Sequence, residues 1–347
     1  MTAPTTASLR RQLEVVAIAL LVSLAIGSLL VLAAGRAPGE VWLAMLTRTF
    51  GDRYALGQVL YKATGLAFTG LAVAIALDAG LFNIGGEGQL AAGMLACAVV
   101  GAALPDGTPA IVAIPLCTVA AALAGAAIGA LIGALRVWRG AHEVITSIML
   151  NEIVAGVVLY LGNRYLFHDT TRGPPITDGA EIPHLGLAGS DANWSVLLAV
   201  AVAGAVWWLR ARTTWGRAWR VVGDAPAAAR ASGVAVGRVQ ILVLAASGAL
   251  AALPATSYVL GHEHAFETGL GAGSGFLGIS VALLGRSHPL GVVAAAFLLG
   301  LLSTSGLVIG NLVPKEVTEV MQGVVVLAVA ATSAWARRRD AQQGRAT

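Results

Sequence analysis

The chain has 347 residues, of which 57% are hydrophobic and only 12% charged, with a mean hydropathy of +0.79. So few polar side chains cannot coat a water-soluble globule of this length, which makes lipid the main solvent. The formal charge of +4 comes from arginines beside apolar runs, where topology places them, so no nucleic-acid partner is expected.

The apolar runs are near-continuous, without the alternation of barrel strands, and several reach the roughly 20 residues that cross a hydrocarbon core of about 30 Å. They predict an all-α, polytopic transmembrane helix bundle of about ten spans: 13–34, 57–78, 84–104, 109–135, 143–162, 194–210, 238–260, 275–285, 289–311 and 317–336. The first follows Arg10 and Arg11 and is too long for a signal-peptide core of about 7 to 15 residues, so it reads as an uncleaved span. Residues 40–50 then read as an interfacial helix. In the fourth run Gly125, Gly129 and Gly133 recur every four residues, which suits close helix approach in lipid. The run 275–285 is too short to cross as a regular helix and reads as half of a broken or re-entrant element buried in protein.

Arginine placement sets the orientation. With both termini cytoplasmic, Arg136 and Arg139, the segment 210–238, and Arg337 to Arg339 all fall inside, whereas Arg36, Arg48 and Arg53 fall outside as the exception. One membrane domain is expected over 1–339, with 210–238 as its cytoplasmic segment and 340–347 as a short disordered tail.

Four segments carry polar chemistry that lipid does not explain. In GLFNIGGEGQ (80–89), Asn83, Glu87 and Gln89 sit among glycines between two apolar runs. Such groups must face protein or water, either as a re-entrant turn beside a solute path or as a plain hairpin with Glu87 in the first turn of the next helix. In GAHEVITSIMLN (140–151), Glu143, Thr146, Ser147 and Asn151 fall on one helical stripe, suited equally to interhelical hydrogen bonding and to solute contact. Glu152 follows, a carboxylate inside a span. In the segment 210–238, Asp224 precedes Pro226 and three alanines, and Gly233 supplies a stop. That pattern predicts a helix of about two turns, which favours a docking element for a cytoplasmic partner over a solvated topology loop, since a loop explains the arginines but not a capped alanine helix. Finally, GAGSGFLGISVALLGRSHPLG (271–291) breaks an apolar region with glycines, as the first segment does in the other half of the chain; paired interruptions point to a transport site. His262, Glu263 and His264 match no strong metal-ligand spacing, and no metal site is expected. No P-loop occurs, so the chain is not expected to be an enzyme or to bind ATP.

These four blocks, in this order and separation from about Lys62 to Ala330, resemble the permeases of the branched-chain amino acid and simple-sugar type of ABC importers, in the branch associated with nucleosides. The resemblance implies a permease subunit in the cell membrane, moving nucleosides or related sugars inward. It implies a second homologous permease (a heterodimer), cytoplasmic ABC ATPase subunits that bind ATP and Mg, and an extracytoplasmic solute-binding lipoprotein. Branched-chain amino acids, and proton-coupled secondary transport through Glu152 or Asp78, are the alternatives. Gly223, Asp224, Pro226, Ala229, Arg230 and Gly233 resemble the coupling helix that seats in the ATPase. Asn83, Glu87, Gln89 and Asn151 carry over as pathway-shaping positions, with Glu143 and Thr146 on the stripe of Asn151. The chain departs from the family's pattern at Leu77, Asp78, His142 and Glu152.

Overall fold

The computed structural model of the chain describes residues 21–22, 24–167, 171–314, 316–324, 327–328 and 331. The expected tail at 340–347 lies outside them, as do Arg10, Arg11 and Arg337 to Arg339. Among the described residues every regular element is helical, and pairing of extended chain is limited to the isolated bridges Arg172–Glu267 and His184–Asn193.

The helices, in order, are α1 (Leu24–Ala33), α2 (Pro38–Phe50), α3 (Arg53–Asp78), α4 (Gly86–Ala103), α5 (Ala110–Arg139), α6 (Glu143–Leu161), α7 (Ser195–Arg212), α8 (Thr214–Asp224), α9 (Pro226–Ala231), α10 (Val236–Ala252), α11 (Ala255–Tyr258), α12 (Ser274–Leu284) and α13 (Pro289–Val308), with α14 at 316–324. Seven of the described segments are long and apolar enough to cross a membrane, or eight if α1 and α2, bent by 112°, count as one. Of the ten expected segments seven are matched; 13–34 and 317–336 run into residues outside the described set, and α12, expected at 275–285 to be too short to cross alone, has 11 residues. α3 starts four residues before the expected 57, and α5 runs on to Arg139 because its stop is Gly140, at φ 66°, whose N–H is donated to the Arg136 carbonyl at 3.1 Å. Glycine alone takes this left-handed conformation freely.

Two compact units divide the chain, Gly57–Gly300 and the described parts of Met1–Leu56 with Leu301–Thr347. In the smaller unit Val31, Val41, Met45, Ile309, Val313 and Met321 form the core. There the buried Thr49 and Ser305 hydroxyls bond at 3.0 Å, and Arg48 donates to Asn311 at 2.9 Å.

In the larger unit the axis of packing is the crossing of α5 and α10. Gly125, Gly129 and Gly133 lie on the backbone of Gly248, Leu244 and Ile241, so close that an added Cβ would meet main-chain atoms. With lipid as apolar as leucine, such small-residue contact supplies the dispersion that holds helices together. At the end where α7 closes, Asp78 of α3 meets Arg210 of α7 through two contacts of 2.6 and 3.1 Å. This two-point, mostly buried pair occupies the carboxylate that otherwise suggests a proton carrier. Asp78→Ala is expected to cost about 2 kcal/mol by leaving the guanidinium unmatched. Thermal unfolding of Asp78→Ala, Arg210→Ala and the double variant checks it, the double variant recovering part of the loss.

Candidate functional site

The segment after α3 does not pass straight into the next span. Gly80, at φ 69°, packs on Gly223 at the end of α8, yet three residues later Asn83 is buried and donates to Ser247 at 2.7 Å. Ser247 lies eleven residues into α10, roughly 16 Å from its start, so residues 81–85 run back into the interior and α4 begins there. α12 begins at the same depth from the other half of the chain. Its Gly275 packs on Gly86 and Glu87, so the N-termini of α4 and α12 abut.

Each N-terminus carries about half a positive charge and unsatisfied N–H groups. One carboxylate answers both: Glu87, in the first turn of α4, accepts from Gly273 N at 2.6 Å and Gly275 N at 3.0 Å. Gly273 caps α12 at φ 84°, a backbone angle that suits glycine. Around this junction Asn83 donates to Gln89 at 2.9 Å and accepts from Gly85 N at 2.9 Å and Gln89 Nε2 at 3.2 Å. Ser247 passes its own proton to the Ala72 carbonyl at 2.6 Å. Asn151 of α6 accepts from Gly88 N at 2.9 Å and donates to the Ile84 carbonyl at 3.0 Å. Tyr258 and Ser274 bond at 3.0 Å beside it.

The structure thus brings Asn83, Glu87, Gln89 and Asn151 together and leaves Glu143 and Thr146 apart. Asn83 and Gln89, 1% and 0% exposed, spend their polar groups on the junction and hold it. Glu143 pairs with Arg136 across the α5–α6 turn, where His142 caps α6 by accepting from Val144 N at 3.4 Å. Thr146 donates back to the His142 carbonyl at 2.9 Å. Gly273 and Gly275 fall in the second glycine-broken segment, 271–291, without standing out within it, whereas Ser247 and Tyr258, inside the expected span 238–260, carry no signal in the sequence.

A cavity of about 170 Å³ opens at the junction between α4, α6 and residues 266–272, with Glu87, Asn151, Glu267 and Thr268 as its polar lining. Among the described residues no lysine, arginine or histidine lines it. Toward the other end from α11, the cluster at His262 is occupied internally: its Nδ1 lies 3.1 Å from Asp191, which also takes Gln58 Nε2 at 2.7 Å.

The segment 210–238 contains more helix than expected. α8 is capped by Thr213, whose hydroxyl accepts from Gly216 N at 3.0 Å, and it buries Trp219 and Val222, with Trp215 edge-on to Trp219 at 4.8 Å. The spacing Trp215, Trp219, Val222 is the amphipathic signal that would have found it. α9 is the expected short helix from Pro226, ended by Gly233 at φ 81°, whose N–H donates to Arg230 O at 3.0 Å. Of the coupling candidates, Ala229 is fully buried in the chain's own core and Gly223 lies against Asp78, Ala79 and Gly80. These two seat the element, whereas Asp224, Pro226, Arg230 and Gly233 face outward. Beside them is a cleft of about 820 Å³ whose lining includes Arg136, His142, Arg230 and Arg238, a basic surface next to an exposed helix.

Comparison with known proteins gives the following. Residues 55–330 match the family model described as branched-chain amino acid transport system / permease component. The chain is 35% identical to the guanosine ABC transporter permease protein NupP of Bacillus subtilis, over 91% of this chain and 92% of that one. It is 32% identical to the glucose ABC transporter permease protein TsgB13 of Haloferax volcanii, over 88% and 84%. A second Bacillus subtilis protein, the guanosine ABC transporter permease protein NupQ, is 26% identical over 81% and 92%.

Proposed function

The chain belongs to the family of branched-chain amino acid transport system permease components, and from that premise we propose that it forms one half of the membrane pathway of an ATP-binding-cassette importer for nucleosides or related simple sugars. It is a multi-pass protein of the cell membrane in this reading, with both termini and the segment 210–238 on the cytoplasmic side. Its partners are a second, homologous permease, cytoplasmic ATPase subunits that hold ATP and Mg, and an extracytoplasmic solute-binding lipoprotein. The chain itself hydrolyses nothing. That NupP and NupQ, two permeases named for one solute in one organism, both resemble it supports a paired assembly. A cavity polar by carboxylate and amide, with no basic residue in its lining among those described, suits neutral solutes over phosphorylated ones.

The observation that carries the reading is the backbone contact of Gly223 with Gly80. α9 faces outward, α8 carries it, and Gly80 opens the short segment that ends in the junction of α4 and α12. A partner that shifts α9 therefore moves the first residues of a path leading to Asn83 and Glu87. With neither glycine presenting a side chain, the displacement passes between backbones, which do not yield by changing rotamer. Alternating access then consists of the junction opening to one face or the other as the motor closes and relaxes.

The test is reconstitution with a second permease of the family, its ATPase and its binding protein, measuring ATP-dependent uptake of labelled guanosine and glucose into vesicles. Uptake that needs ATP and all partners is expected; uptake on a proton gradient without the ATPase overturns the proposal. Arg230→Glu is expected to lower uptake about tenfold by setting a like charge against the motor's docking surface, with normal expression and continued ATP hydrolysis. Unchanged uptake would remove α9 from the coupling role.

A further inference from the structure

α6 is held in one rotational setting. Asn151 bonds to Gly88 and Ile84, and Glu143, Ser147 and Val158 are buried on the same side. One residue on from Asn151, about 100° round the helix, Glu152 is therefore turned outward; it is exposed and has no ion pair or hydrogen bond among the described residues. Its neighbours on the outward face, Ile145, Ile148 and Met149, are exposed and apolar, as expected of a surface lying against lipid or another subunit. Glu152 breaks that surface near the middle of the span Glu143–Leu166, roughly 13 Å from its start and about 20 Å from its end. From that depth a glutamate cannot reach either interface, and a carboxylate held in hydrocarbon is unfavourable enough that such residues face cavities or partners.

The geometry indicates which. Glu152 shares its stripe with Ala155 and Leu159, which line the cavity at the junction together with Glu87. Gly156, one turn on, is exposed as well, with no other part of the described chain within 4 Å of where a side chain would begin. Glu152 is not itself among the residues that line this cavity; it lies one turn before Ala155 on the same side of α6.

We propose that Glu152 lines the solute path, where its carboxylate accepts hydrogen bonds from the N–H and O–H groups of a neutral nucleoside or sugar and repels phosphorylated forms. This rests on the importer reading above and adds to it a residue that touches solute. Each oxygen of Glu87 already accepts a backbone N–H of α12, whereas Glu152 has no hydrogen bond among the described residues and keeps all its acceptor sites for a solute. A second permease seated against the apolar part of the face would complete the wall.

The test uses the reconstituted complex. Glu152→Cys is expected to react with a membrane-impermeant, cationic thiosulfonate and to lose uptake on reaction, whereas Ile153→Cys, a further 100° round, stays unreactive. Native Cys97 and Cys117 are buried and give little background. Glu152→Gln, which keeps the shape, is expected to slow guanosine uptake about tenfold, the worth of one charge-assisted hydrogen bond, at unchanged thermal stability. A Glu152→Cys that reacts only with a lipid-soluble maleimide, or a Glu152→Gln with wild-type uptake, overturns the inference. Absence of ATP-driven uptake in the wild-type complex would instead defeat the importer reading, while the labelling contrast still reports whether Glu152 meets water.

Discussion

Gly248→Leu is expected to leave almost no correctly folded protein. The side chain would enter the crossing of α5 and α10 against the Gly125 carbonyl and the Cα of Gly129. Neither is a flexible side-chain end, so relief requires the two helices to separate. Separation in turn strips contact from Gly129 on Leu244 and Gly133 on Ile241 along the whole seam. Overpacking by a methylene or two costs about 1–3 kcal/mol when side chains can shift; with backbone on both sides the cost is expected at about 3 kcal/mol or more, a large share of a stability of roughly 5–15 kcal/mol. Size-exclusion of a fluorescent fusion in detergent reads it directly: the monodisperse peak should vanish for Gly248→Leu. It should persist for Gly204→Leu on α7, where nothing lies within 4 Å. A normal peak and melting temperature for Gly248→Leu would mean the seam does not hold the bundle.

That seam was half visible in the sequence. The four-residue spacing of Gly125, Gly129 and Gly133 announces a helix approached closely, but the approaching helix, more than a hundred residues on, leaves no local sign. The same limit governs the polar interior. Asn83, Glu87, Gln89 and Asn151 stand out because amides and carboxylates in apolar chain need a reason. Their partners, Ser247 for Asn83 and Gly273 and Gly275 for Glu87, are ordinary residues whose role exists only in three dimensions. Hydropathy reads 84–104 as a span, and Gly86–Ala103 is one by length and composition; what hydropathy does not show is that the chain from Gly80 to Gly85 first returns to the interior, one of the two readings the glycines left open, and the bonds of Asn83 select it. By contrast, the Arg136–Glu143 pair and α8 were within reach. The first joins residues seven apart across a glycine stop, and the second writes its buried face as Trp215, Trp219 and Val222 behind a threonine cap.

Glu87→Ala should be the most damaging single change at the junction itself. The variant removes two charge-assisted hydrogen bonds to the first turn of α12 and leaves two helix N-termini abutting with their partial positive charges uncompensated. Loss of a cap costs about 1 kcal/mol, and hydrogen bonds to a charged group are worth about 1.5–3 kcal/mol each. A total near 3 kcal/mol is therefore expected even with part of the site hydrated through the adjoining cavity. Glu87→Gln supplies the decisive comparison, because it keeps one acceptor oxygen for Gly273 or Gly275 but presents an NH₂ to the other N–H and carries no charge. Its stability should fall between wild type and Glu87→Ala, and Glu87→Asp, too short to reach both glycines, should resemble the alanine variant. If the three variants melt alike, the carboxylate is not what holds α12 against α4. If all three melt as wild type yet uptake is lost, Glu87 acts on solute and not on the helix ends, and the path would pass through the junction instead of beside it.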